Sequence, residues 1–133
     1  MFQTFLRSSL LIATGLLVVG CADNKNEAPV VGRLTVDGKP VPEISIFLVP
    51  DDIKTPGYVA QSMDDGGFEM RSFKGKKGVA PGVYSVQLSI PVGSAGGGMV
   101  KPGFVGTASP WRVTVTDKGI ADLQLDMDKE KLE

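Results

Sequence analysis

The sequence predicts an all-β fold of seven short strands in two antiparallel sheets packed face to face. Three observations carry the prediction. Apolar and polar residues alternate with period two in segment after segment from Val30 onward, the signature of a half-buried strand. Turn-forming residues separate those segments, within a composition of 17 glycines and 9 prolines, and each breaks regular structure for its own reason. No stretch after residue 21 shows apolar residues at helical spacing. Short strands with turns between them and no amphipathic helix define a sandwich.

In the first strand Gly32, Leu34 and Val36 share one face while Arg33 and Thr35 share the other. Asp37-Gly38 follows, a pair suited to the positive φ angles of a tight hairpin. The second strand sets Ile44, Ile46 and Leu48 inward and ends at Pro50; Asp51 to Gly57 is a polar loop. Tyr58 to Met63 makes a third strand, and Asp64-Asp65-Gly66-Gly67 turns it into Phe68-Glu69-Met70-Arg71. Lys74 to Pro81 is a basic, glycine-containing loop. The fifth strand has the clearest alternation, with Tyr84, Val86, Leu88 and Ile90 inward. Pro91 to Pro110 reads as a long irregular connection, flexible at Gly96-Gly97-Gly98. Trp111, Val113 and Val115 mark the sixth strand, and Leu123, Leu125 and Met127 the last. The domain therefore spans 30–128, and the charged residues 129–133 are expected to fray.

The residues before this domain carry a different message. Arg7 and the amino terminus supply positive charge, Ser8 to Val19 form an apolar run of twelve residues, and Val18-Val19-Gly20-Cys21 closes it. As a helix that run reaches roughly 18 Å, short of a hydrocarbon core about 30 Å thick. It reads as an export signal over residues 1–20 that is removed. The aliphatic-aliphatic-Gly-Cys ending is a lipobox: Cys21 then receives a diacylglyceryl group on sulfur and an acyl chain on its new amino group. Several acyl chains hold a protein stably at a membrane where one does not. Two other readings exist for the same residues. Gly20-Cys21-Ala22 also fits an ordinary cleavage site releasing a chain that begins at Asp23, and Cys21 also fits a buried structural thiol. Residues 21–29 are polar and aperiodic and read as a tether. The anchor is expected in the cell membrane or the outer membrane; Ala22, rather than an acidic residue, follows Cys21, which by resemblance to enterobacterial lipoproteins leans toward the outer membrane.

Composition narrows the chemistry. The 14 basic and 15 acidic side chains nearly balance, so the chain lacks the basic footprint nucleic acid requires. It has no histidine and one cysteine, which removes Ser-His-Asp and Cys-His catalysis, disulfides and the usual zinc ligand sets. No cofactor motif is present, and the expectation is a chain that is not an enzyme.

Several segments, in order, resemble a known family. They are Gly32 to Val41, Ile46-Phe47-Leu48-Val49-Pro50, Asp65-Gly66-Gly67-Phe68, Ala80-Pro81-Gly82-Val83-Tyr84-Ser85-Val86 and Ser109-Pro110 before an expected final hairpin. Together they resemble the carboxypeptidase regulatory-like, or transthyretin-like, domain of small bacterial lipoproteins, over nearly the whole chain after Cys21. The resemblance implies a prealbumin-like Greek-key sandwich, related in architecture to immunoglobulin domains, without activity of its own and serving for docking or adhesion. One departure stands out: Ser62-Met63 occupies the place where family members often carry Thr-Asp, so the side-chain cap of that aspartate is missing.

The candidate contacts are few. Arg71, Lys74, Lys76 and Lys77 form a basic segment able to meet lipid headgroups or anionic envelope polymers, or simply a solvated loop. Asp64, Asp65 and Glu69 lack the ligand spacing of a calcium loop, so no metal is expected. Gly93 to Gly98 lacks the lysine and helix of a phosphate loop. Trp111 and Tyr84 are in phase with inward aliphatics, which leaves Tyr58 as the exposed aromatic for sugar stacking. The expected partners are membrane lipid through Cys21 and an envelope protein or polysaccharide, with a cell-surface carbohydrate-binding module as the alternative function.

Overall fold

The computed structural model describes residues 27–132; the expected signal segment, Val18, Val19, Gly20, Cys21 and most of the expected tether lie outside them. The described chain is a two-sheet β structure. Nine strands are present among the described residues: β1 (Val30–Val36), β2 (Lys39–Pro40), β3 (Ser45–Pro50), β4 (Tyr58–Gln61), β5 (Gly67–Glu69), β6 (Arg71–Ser72), β7 (Gly82–Ser89), β8 (Arg112–Val115) and β9 (Ile120–Asp126). Each of the seven expected segments overlaps one of them. The structure adds the two-residue β2, too short to leave a periodic trace, and divides the expected segment Phe68–Arg71 at Met70 into β5 and the two-residue β6. One sheet is built on β1, which pairs with β2, β5 and β9; the other has the order β6-β4-β3-β7-β8.

The inner faces are made as alternation dictates. In β7 Tyr84, Val86 and Leu88 are buried, and in β3 Ile46 and Leu48. Trp111, Tyr58, Tyr84 and Phe68 are the largest fully buried side chains. Asp37 and Gly38 both take positive φ, 50° and 72°, matching the right-handed twist of the strands they join. Ile90 departs from expectation. It is exposed, because β7 ends at Ser89 and Pro91 carries the chain away from the ladder.

Two expectations of connectivity are corrected. The pairing of β1 with β9 is parallel, with Leu34 opposite Leu125, so the first sheet is mixed rather than antiparallel. The expected final hairpin does not form either, because β8 pairs with β7 in one sheet while β9 joins the other. The turn at Thr116–Gly119 crosses between sheets and delivers β9 to the end where β1 starts, and Ile120 N–H donates to the Pro29 carbonyl at 2.9 Å. Two strands entering from the same end run parallel, which a tight hairpin cannot achieve.

The long connection after β7 is less open than its glycines imply. It holds three 3₁₀ turns, Gly97–Met99, Pro102–Phe104 and Gly106–Ala108, and buries Val100 and Phe104. Phe104 packs on Trp111 with ring centroids 4.4 Å apart. The C-terminal residues are likewise held. The Trp111 indole N–H donates to the Lys129 carbonyl at 2.8 Å, and Leu132 packs against the core.

The strand registers give the sandwich two distinct ends. Ala28, the start of β1, the end of β3, the start of β4 and the start of β7 lie at one end; Ala28 bridges Val79 there. The loops 51–57 and 73–81 and the turn 116–119 belong to this near end. The turns at Asp37-Gly38 and Met63–Gly66 and the connection after Ser89 belong to the far end.

Candidate functional site

The residues singled out for surface contact gather at the near end, beside the point where the chain joins the sandwich. Ala28 and Val79 exchange two backbone hydrogen bonds, at 3.0 and 2.8 Å, which fasten the N-terminal segment to the basic loop. β6 and this loop fold back on themselves: Arg71 bridges Lys77, and Ser72 Oγ accepts from the Lys76 N–H at 3.1 Å. Gly75 makes the reversal with a φ of 85°.

The four basic residues divide into two pairs. Arg71 and Lys77 both approach Glu69 Oε1, at 3.9 and 3.4 Å, so one carboxylate offsets much of their charge. Lys74 and Lys76 form no ion pair among the described residues. They project at the rim of a groove of about 430 Å³, which Glu27, Pro56, Gly57, Tyr58 and Phe73 also line. Exposed lysine ammonium groups beside an apolar cleft match an amphiphile better than a uniformly charged polymer.

Two tyrosines close the core beneath this groove. The Tyr58 and Tyr84 rings meet edge to face, 5.9 Å apart at 74°, a favoured aromatic geometry. Tyr84 Oη donates to the Ala80 carbonyl at 2.6 Å, and the Ala80 N–H donates to Tyr58 Oη at 3.0 Å. Tyr58 Oη in turn lies 3.5 Å from Glu27 Oε1. Burial pushes the Tyr84 hydroxyl up to about 12, helped by neighbouring Tyr58. Burial also raises Tyr58, against the lowering effect of the Ala80 N–H. Both therefore stay protonated at neutral pH and serve as latches between sheet and loop rather than as bases or nucleophiles.

Tyr58 thus contradicts the expectation of an exposed aromatic: it is fully buried. The physical reason is its phase in β4, where Tyr58 and Ala60 face the core and Val59 and Gln61 face outward. The exposed aromatic of this end is Phe73, 67 % exposed, whose ring lies 6.5 Å from that of half-buried Phe47. Periodicity passes over Phe73 because it stands in a loop. The available signal was an aromatic set in Ser72-Phe73-Lys74-Gly75-Lys76-Lys77, where a solvated turn has no need of one.

The remaining candidates lie elsewhere. In the acidic turn, Asp65 Oδ1 accepts the Gly67 N–H at 2.8 Å, so this carboxylate caps the hairpin. Ser62, at the family departure, is buried and accepts the Ile44 N–H on Oγ at 2.9 Å. No group of three or more His, Cys, Asp or Glu side chains is placed to hold a metal among the described residues. The glycine-rich connection sits at the far end, where the Ala95 N–H donates to Glu43 Oε2 at 2.7 Å. No helix among the described residues is long and apolar enough to cross a membrane.

No protein-family model, curated protein or solved structure matches this chain.

Proposed function

We propose that this chain is a non-catalytic lipoprotein of the bacterial cell envelope, a β-sandwich docking or adhesion module held to a membrane by lipid on Cys21. Residues 1–20 are its export signal; the membrane is the cell membrane or the outer membrane, with Ala22 leaning toward the outer. Its partners are the bilayer, through the diacylglyceryl and N-acyl groups, and an envelope protein or polysaccharide. A Greek-key, prealbumin-like connectivity of the carboxypeptidase regulatory-like kind belongs to the same reading. The observation that carries it is Val18-Val19-Gly20-Cys21 at the end of a short apolar run, six residues before Glu27 and the sandwich. A total absence of histidine supports the non-catalytic part.

The test is metabolic labelling with palmitate. The native chain is expected to take up label and sediment with membranes. Cys21→Ser is expected to lose the label and to retain its signal segment or leave the membrane. A mature chain that starts at Asp23 without fatty acid overturns the proposal.

A further inference from the structure

We infer that the near end of the sandwich is a second membrane contact: Ile53 and Phe73 seat in the headgroup region while Lys54, Lys74, Lys76 and Lys118 meet anionic phospholipid. The inference rests on the Cys21 anchor proposed above and adds the face that the anchored domain turns toward the bilayer.

Geometry restricts the choice of face. Cys21 lies six positions before Glu27, a separation of at most about 20–22 Å when fully extended. Glu27 lines the groove beside Phe73, Lys74 and Lys76, and Ala28 is fastened to Val79. A lipid on Cys21 therefore holds the near end within about 20–22 Å of the headgroups, and the chemistry of the two ends decides which of them turns toward the bilayer.

The near end also has suitable chemistry. Ile53 is 98 % exposed at the tip of the loop 51–57. Phe73 stands over the base of that loop, since a side-chain carbon placed on Gly57 would lie 3.3 Å from its ring. Two apolar tips on neighbouring loops are costly to leave in water and gain from the interface. Cations beside them complete the pattern. Lys54, Lys74, Lys76 and Lys118 have no ion-pair partner among the described residues; Asp51 pairs with Arg112, and Asp52, Asp117 and Glu27 offset part of the remaining positive charge of this end.

The far end lacks this combination. Val92 is fully exposed there, but the turns around that end carry Asp37, Glu43, Asp64, Asp65, Asp126 and Asp128 against Lys39 and Lys101, and Lys101 is bound to Asp128 at 2.9 Å. An anionic leaflet repels such a surface and attracts the other.

The full-length acylated protein, reconstituted in vesicles, tests the orientation. With Cys21 blocked as a thioether, Thr55→Cys and Val92→Cys each provide one thiol for a fluorescent label. In vesicles of phosphatidylcholine with phosphatidylglycerol, doxyl lipids labelled near the headgroup are expected to quench the label at 55 and to spare that at 92. Lys74→Gln with Lys76→Gln, or phosphatidylcholine alone, is expected to lower the docked fraction, on the order of fivefold in the docked-to-free ratio for each lysine removed. Trp111 emission reports that each variant is folded. Equal quenching at the two positions, or quenching at 55 that ignores the lysines and the lipid charge, overturns the orientation while leaving the anchor in place. A chain without acyl groups by mass spectrometry refutes the anchor itself, and the orientation falls with it.

Discussion

Gly32→Ala is the most economical probe of the β1–β9 ladder, because a single methyl group tests the parallel pairing that alternation alone did not foresee. Gly32 sits where the register shifts between Val30 and Gly32. A Cβ there would lie 2.7 Å from the Phe68 ring and collide with the Leu123 backbone carbonyl, against an ordinary carbon contact of about 3.5–4.0 Å. Phe68 is fully buried and β9 is fixed by its ladder, so neither neighbour yields freely. Overpacking of this kind costs about 1–3 kcal/mol, and each ladder hydrogen bond stretched to relieve it costs about 0.5–1.5 kcal/mol more. Replacing glycine returns about 0.5–1 kcal/mol through the unfolded chain. The net loss should be about 2–3 kcal/mol, on the order of 10 °C in Tm for a domain of this size. Urea unfolding of the chain without residues 1–20 and with Cys21→Ser, followed by Trp111 fluorescence, measures it. Gly103→Ala is the control: no atom lies within 4 Å of its would-be Cβ, and it should change stability by less than about 0.5 kcal/mol. Phe68→Leu should recover only part of the Gly32→Ala loss, since the carbonyl contact persists. A Gly32→Ala protein as stable as the parent, or one fully rescued by Phe68→Leu, would refute the ladder as the cause.

Two further predictions concern the latches. Tyr84 has its folded pKa raised from 10.0 to about 12, so its stabilising contribution is complete below pH 10 and is lost as pH climbs toward 12, where the unfolded chain ionises first. The loss should be on the order of 2 kcal/mol by pH 12; unfolding at rising pH beside a Tyr84→Phe variant checks it, and a pH profile identical in the two proteins would remove the assignment. Trp111→Phe removes the indole bond to the Lys129 carbonyl and part of the fully buried ring, and should cost about 1–3 kcal/mol with faster hydrogen exchange in residues 129–132. Unchanged exchange there would show that the C-terminal segment is held by something else.

How much of this was legible in the sequence depends on the range of the interactions involved. The strands of the core were legible because period two is local: Tyr84, Val86 and Leu88 declare their common face within five residues. The Asp37-Gly38 turn was legible because its φ angles belong to the residues themselves. The partner of each strand was not, since β1 and β9 are joined by the entire domain and nothing in Leu34 or Leu125 encodes a parallel neighbour. The connection after Pro91 is only partly legible for a related reason. Its glycines are local signals of freedom, while the burial of Val100 and Phe104 against Trp111 is a tertiary fact that overrides them.

The candidate site shows the same division with a different consequence. The basic segment was visible as composition, yet composition could not separate Arg71 and Lys77, which share Glu69, from Lys74 and Lys76, which do not. Nor could it exchange Tyr58 for Phe73 as the exposed aromatic, because that depends on one residue lying in a strand and the other in a loop. Once those assignments are made, charge and hydrophobicity sort by position rather than by sequence. Among the described residues, four lysines without ion pairs and two apolar tips collect at the end where Ala28 enters the sandwich, and acids outnumber bases at the opposite turns. In the proposed anchored state a lipid on Cys21 would confine the domain near the bilayer and leave it free to rotate about the tether; opposed chemistry at the two ends is what would select one orientation. Rotational selection costs little once translation is already restricted by the anchor, so a few lysines at about 1 kcal/mol each are enough to decide it.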